Sequence, residues 1–163
     1  MSNDGLKVYV YFNLHKYVWS IKALEGPMKG KVIDHQRQVY LERCTFKVSE
    51  AGRQRVLREK KKNVHAGIVG YLSTTQANHV APPGFIIPVV YNPYKYDRFM
   101  AAFFWEQEDS YVPVMYAGEV FMYSDKFSGG HVRAKDAVLD KESASFKHFK
   151  EQQQLWQSGI SKR

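Results

Sequence analysis

Apolar and polar residues alternate over much of the chain, and a period of two predicts half-buried strands. Along Leu6–Leu14, Val8, Val10 and Phe12 fall on one side and Tyr9 and Tyr11 on the other. His15–Leu24 repeats the pattern, with Val18 and Ser20 set against Trp19 and Ile21. The intervening "NLHK" reads as a tight turn, so residues 7–24 are predicted to form a hairpin. "EGPMKGK" at 25–31 is a glycine- and proline-bearing loop, and further strands follow at Val32–His35 and Gln38–Val48. The period then changes. Ser49 is suited to cap a helix, because its hydroxyl can accept from a free first-turn amide, and Glu50 suits the positive end of the helix dipole. The helix is predicted to run to about Lys62, with Ala51, Val56 and Leu57 as its thin apolar stripe. "NVHAGIVGYL" at 63–72 returns to a strand period, placing Val64, Ala66 and Ile68 opposite His65, Gly67 and Val69.

The second half carries the same signals less cleanly. "STTQANHVAPPG" at 73–84 is polar, turn-rich and stopped by Pro82-Pro83-Gly84, which predicts a long surface loop. "FIIPVVYNPYKYDRF" at 85–99 resumes strand character, with Pro88 predicting an edge or bulge and "NPYK" a turn. Residues 97–108 fit either a short aromatic helix capped by Asp97 or a strand. "YVPVMYAGEVFMYSD" at 111–125 reads as a hairpin turning at Ala117-Gly118, and "KFSGGHV" at 126–132 as a loop. From Ala134 onward Ala137, Val138, Phe146, Phe149 and Leu155 fit a helix that frays after Trp156. Strands bracket a single central helix instead of alternating with helices, so the expected fold is α+β. We expect a mainly antiparallel sheet, one central basic helix and a C-terminal helix, in a single domain over residues 1–156 with a frayed tail at 157–163.

Charge sharpens this picture. The chain has 163 residues and a formal net charge of +8. Residues 1–48 hold eight Lys or Arg against four acids, and residues 49–72 hold six against two, so the whole excess lies in the first 72 residues. A one-sided basic field favours phosphate backbones, acidic proteins or anionic lipid. Aromatic residues make up 15% of the chain, which suits both β-rich packing and base-stacking surfaces. One cysteine, Cys44, cannot form an internal disulfide and reads as a small core residue. No apolar run is long enough to span a bilayer and the first residues lack a secretion signal, so a soluble cytoplasmic protein with no membrane association is expected.

Several chemistries lack their residues. There is no GxxxxGK[ST] or GxGxxG loop to cradle phosphates, and no CxxC or HExxH for zinc, so no cofactor and no metal are expected. Glu106, Glu108 and Asp109 form the one dense acidic group and read as a solvated turn. Among the six histidines, His65 alone sits inside a predicted strand, beside the basic helix. His15 and His35 fall at strand ends, while His79, His131 and His148 fall in loops or the tail.

The most specific feature is "GRQRVLREKKK". Arg53, Arg55, Arg58, Lys60, Lys61 and Lys62 share the stretch with one acid, Glu59, and unneutralised like charges on neighbouring turns repel. An external anion would relieve that repulsion. "YNPYKY" interleaves Tyr91, Tyr94 and Tyr96 with Lys95, a composition equally suited to stacking unpaired bases and to covering a sheet edge. These features predict a nucleic-acid partner, RNA or DNA, held by the six helix cations with Tyr91, Tyr94 and Lys95. Two rivals belong to other classes. His65 as general base beside Arg53, Arg58 or Lys95 would meet the minimum for metal-independent RNA cleavage, in which the 2′-hydroxyl is the nucleophile. Alternatively the basic face meets an acidic protein, with aromatic anchors.

The run "VSEAGRQRVLREKKKNVHAG", with upstream "YFNLHKYVWSIKALEGPMKGKVIDH" and downstream "YNPYKY", resembles a group of uncharacterised tailed-bacteriophage proteins over roughly residues 6–96. The resemblance implies a phage origin and action in the cytoplasm of an infected bacterium, where an acidic protein partner would belong to the virion or to a host protein bound to counter defence. It carries no catalytic residue across.

Overall fold

The computed structural model describes residues 4–61, 64–73, 86–102, 107–125 and 129–140. These form nine strands and one α-helix: β1 (Lys7–Asn13), β2 (Val18–Ala23), β3 (Val32–Gln36), β4 (Gln38–Val48), α1 (Glu50–Glu59), β5 (Ala66–Leu72), β6 (Ile86–Val90), β7 (Met100–Ala101), β8 (Val112–Asp125) and β9 (Gly129–Leu139). All strand pairs are antiparallel. The order is β3-β2-β1-β5-β4-β8-β7-β6-β9, and β9 returns to pair with β8. The strands β6, β7, β8 and β9 therefore close a ring at one end of the sheet. The mainly antiparallel sheet with a central helix is as the periodicity predicts.

The first hairpin turns at Asn13–Tyr17, where the Asn13 side-chain carbonyl accepts from the amides of His15 and Lys16 at 3.0 and 3.1 Å. Such a turn replaces the backbone partners that the chain reversal removes. In β3 the Asp34 carboxylate accepts from the His35 amide at 2.8 Å and from the Gln36 side chain at 2.7 Å.

Val8, Val10, Ile21, Leu41, Ile68, Val120 and Met122 are all buried in one cluster, so strands from both ends of the sheet share a core. Each such side chain stabilises the fold by roughly 1.5–3 kcal/mol relative to exposure. The helix contributes only Val56 as a buried residue, so it is held by other means described below.

Several expectations are corrected. Residues Val112–Asp125 form one unbroken strand, not a hairpin at Ala117-Gly118. Gly118 serves a packing need instead: a Cβ there would lie 3.3 Å from Cβ of Asp136, a residue held at φ 55 on the neighbouring strand. The hairpin closes later, at the pair Asp125↔Gly129, so Gly129 to Val132 belong to a strand and not to a loop. Ala134–Leu139 is also strand, because pairing with β8 fixes Val132 and Ala134 inward and Arg133 outward with a period of two. The remainder of the expected C-terminal helix lies outside the described residues, as does the 74–85 part of the expected surface loop.

Pro88 sits in a strand with neighbours on both sides, β7 and β9, and not at an edge. Its carbonyl accepts from Ala102, just past the end of two-residue β7, so its missing amide falls where that ladder stops. Of residues 97–108, Met100–Ala101 are strand, which decides the earlier choice for that part.

Ile68 is fully buried where β1, β5 and β4 meet. Ile68→Ala should cost about 2–5 kcal/mol, read as a lowered urea midpoint with little change in slope.

Candidate functional site

Helix α1 is built as its sequence predicts at the start and stops sooner at the end. The Ser49 hydroxyl accepts from the Gly52 amide at 3.2 Å. The Ser49 amide donates to the carbonyl of His65 at 2.7 Å, which ties the helix entry to the start of β5. The helix ends at Glu59, not Lys62, because Lys60 turns into the left-handed region (φ 55) and donates its amide to Val56. That turn is the usual way a helix satisfies its last carbonyls.

Gly52 costs the helix about 1 kcal/mol of propensity against alanine. Its place is explained by proximity: a Cβ there would lie 2.6 Å from Cβ of His65. At Gly52 the helix thus comes close to the chain at His65, just before β5.

Arg53 is largely withdrawn from solvent, at 15% side-chain exposure. Its Nε donates to the carbonyls of Pro93 (3.0 Å) and Tyr96 (2.9 Å), and its Nη1 to Glu50 (3.0 Å). This guanidinium therefore clamps the helix onto the turn at Asn92–Tyr96. Glu50 also accepts from Gln54, and that bond, with Arg53, holds its carboxyl below the usual carboxylate range.

On the same side, Tyr91 and His65 meet through a 2.7 Å contact between the phenol oxygen and Nε2. Tyr91 continues into Phe99 and Phe46, with ring centroids 5.1 and 5.3 Å apart along the row. Lys95 is exposed but bound by both Glu108 oxygens, at 2.9 and 3.1 Å. Tyr94 is 62% exposed beside it.

The predicted residues thus divide. Arg53, His65 and Tyr91 form one packed junction, and Lys95 is neutralised by Glu108. Arg55, Arg58, Lys60 and Lys61 are exposed, and none of them is in an ion pair among the described residues. Lys62 lies outside the described residues, as do His79 and His148.

His65 and Tyr91 of the junction, with Pro93 and Phe99, form one wall of a cleft of about 1090 Å³. Tyr11, Phe12 and Trp19 of the first hairpin form a second wall, and Tyr123, His131 and Arg133 of the β8–β9 hairpin a third. His15 and His65 also line it, and no described lining residue is Asp or Glu. Sequence reasoning misses this third wall. Tyr123 and His131 are direct cross-strand partners, a signal visible only once the hairpin is closed at Asp125 and Gly129. A smaller hollow of about 350 Å³ lies beside it, next to Lys16, Tyr17, Arg37 and Ser124.

Among the described residues no group of three or more His, Cys, Asp or Glu is arranged to hold a metal ion. Burial, with help from Glu42, pushes the Cys44 thiol up to about 12, so it is not a nucleophile at neutral pH. No described helix is long and apolar enough to cross a membrane.

Two outcomes follow from the junction. Arg53→Ala leaves two carbonyls without their charged donor and should cost about 1–3 kcal/mol in urea unfolding. Arg53→Lys should recover only part of it, since one ammonium cannot reproduce the guanidinium fork. Burial also pushes the phenols of Tyr9, Tyr91 and Tyr96 up to about 12. Unfolded tyrosines ionise near 10, so above that pH the unfolded chain binds fewer protons than the folded one. Stability should be level below about pH 10 and fall between about 10 and 12, with phenolate absorbance at 295 nm lagging behind that of free tyrosine.

Comparison with known proteins gives the chain a family. Residues 1–129 match the family model described as Mycobacterium phage L5 gene 82 protein, well past the 6–96 span of the earlier resemblance. The gene 82 protein of Mycobacterium phage L5 is 40% identical over 109 residues, covering 63% of this chain and 82% of that protein. No solved structure matches. The phage resemblance read from the helix segment is therefore shown, and the chain belongs to the Mycobacterium phage L5 gene 82 protein family.

Proposed function

We propose that this phage protein binds nucleic acid, with the outer face of α1 as its phosphate contact. The observation that carries the reading is the group Arg55, Arg58, Lys60 and Lys61, exposed together and without an ion pair among the described residues. The backbone that carries Arg55 and Arg58 on the capped helix, and Lys60 at its closing turn, is already ordered, so capturing a phosphate chain costs side-chain freedom but little backbone freedom. The role of Arg53 changes accordingly: it positions the helix and does not contact the ligand. No described residue lining the cleft beside the helix is Asp or Glu, which supports the same sign of partner.

Four phosphate contacts to a single strand give a slope of about −3 for log K against log salt. Binding of a fluorescent oligonucleotide measured from low to moderate salt should show it. The Arg55→Ala/Arg58→Ala double variant should flatten the slope by about 1.4. Absence of binding, or binding indifferent to salt, would reject the reading.

A second reading has one specific support. His65 lines the cleft with its ring oriented by Tyr91, as a general base for RNA transesterification would need. RNA cleavage that survives EDTA and disappears in His65→Ala would establish it; intact RNA after long incubation with folded protein would dismiss it.

A further inference from the structure

The strands that bury Val8, Val10, Ile21, Leu41 and Ile68 in the core have a second face. Tyr9 and Tyr11 alternate with Val8 and Val10 along β1, so they point the other way. The pairing register carries that outer face across the sheet, because directly opposed residues lie on the same side. One row runs Lys22, Tyr9, Val69, Thr45, and the next runs Lys7, Tyr71, Glu42. Tyr9, Tyr11 and Tyr71 are half-buried, while Arg43 and Lys47 are exposed.

Backbone features place these rings. A Cβ on Gly67 would lie 2.5 Å from Cζ of Tyr9, so a glycine lets that ring settle on β5. The Tyr11 ring follows at a centroid distance of 5.9 Å. On β4 the register slips between Glu42 and Thr45, and Arg43 takes φ 52, a left-handed conformation that residues with a side chain seldom adopt. A bulge of this kind re-aims a side chain. Here the guanidinium carbon of Arg43 comes to lie over the Tyr71 ring, 3.9 Å from its centre. The charge has one sign: β1, β2, β4 and β5 together carry Lys7, Lys22, Arg43 and Lys47 against a single acid, Glu42. None of these four cations is in an ion pair among the described residues.

We propose that this outer face of β1, β2, β4 and β5 is a stacking platform for single-stranded nucleic acid, with Tyr11, Tyr71 and Arg43 against the bases and Lys22 and Lys47 beside the phosphates. The proposal rests on the nucleic-acid reading above and adds where the bases sit and that they are unpaired. Every base has a flat face that a tyrosine ring can meet, and an arginine plane stacks on bases as a ring does. Cations set around the rings complement the phosphates that join successive bases, and they repel a cationic partner. In a duplex the base faces are covered by neighbouring pairs, so rings standing on a sheet have nothing to stack against. RNA and DNA strands share the chemistry invoked here.

Fluorescence anisotropy at one salt concentration, with a uridine strand of about twelve nucleotides, its thymidine counterpart and a blunt duplex of equal length, separates the outcomes. Either strand should bind at least about tenfold tighter than the duplex, since each stacked base is worth about five- to a hundredfold. Tyr11→Ala and Arg43→Ala should each weaken strand binding by about that factor and leave duplex binding unchanged. Arg43→Lys, which keeps the charge and loses the plane, should recover little of the loss. Thermal melting checks that the variants fold. If Tyr11→Ala does not fold, Tyr11→Leu, which keeps apolar bulk without the ring, takes its place in the same measurement. In the unaltered protein, a strand carrying 5-iodouridine should photocrosslink to peptides containing Tyr11 or Tyr71. Crosslinks confined to other peptides would overturn the platform. Equal binding of strand and duplex, indifferent to Tyr11 and Arg43 but weakened by Arg55→Ala/Arg58→Ala, would also overturn it while the helix reading survives. Absence of any nucleic-acid binding would overturn both, as would capture of an acidic peptide that neither strand displaces.

Discussion

The structure depends on β8. Its fourteen residues pair with β4 on one stretch, β7 on another and β9 along most of its length. Among the described residues, the ladder between β4 and β8 is the one sheet connection between β3-β2-β1-β5-β4 and the closed end formed by β6, β7 and β9. A hairpin at Ala117-Gly118 would have cut this connection in two. The left-handed Asp136 opposite Gly118, and the long unbroken pairing it accompanies, are what the continuous strand requires locally. The core follows from that continuity, since Val120 and Met122 pack with Val8 and Ile68 from the other half.

Two loose ends of the sheet are then brought face to face. The first hairpin and the β8–β9 hairpin meet at the bond from Trp19 to Tyr123, between residues 104 positions apart. The helix is added on a different principle. It buries Val56 and little else, and it is fixed by polar contacts: Ser49 to His65 at its start, Arg53 to the Asn92–Tyr96 turn along its side. A basic helix can keep its outer charges exposed because one of its arginines, turned inward, does the attaching.

What the sequence made legible was what is local. Alternation placed β1, β2, β4 and β5, and Ser49 marked the helix start, because each signal acts within a few residues. The helix end was overestimated because Lys60–Lys62 fit a C-terminal turn by charge while the left-handed turn at Lys60 depends on backbone geometry. Ala134–Leu139 looked helical for want of its partners: alanine and leucine tolerate either period, and pairing with β8 and β6 decided it. The same division holds for the site. The cationic stretch was visible as composition, but composition could not separate Arg53, spent on carbonyls, from Arg55 and Arg58 in solvent. The cleft was invisible, since it is made by strands distant in the chain.

The ring closed by β6, β7, β8 and β9 has a consequence for how the chain behaves among its own copies. Closing one end of a sheet leaves, among the described residues, β3 as its terminal strand. An open terminal strand is a template onto which another chain can add, a route to aggregation. Here that strand is short and mostly polar, and Asp34 folds back to occupy the His35 amide and the Gln36 side chain. The protein thus answers the hazard at this border of the described sheet by giving the His35 amide a partner within the strand.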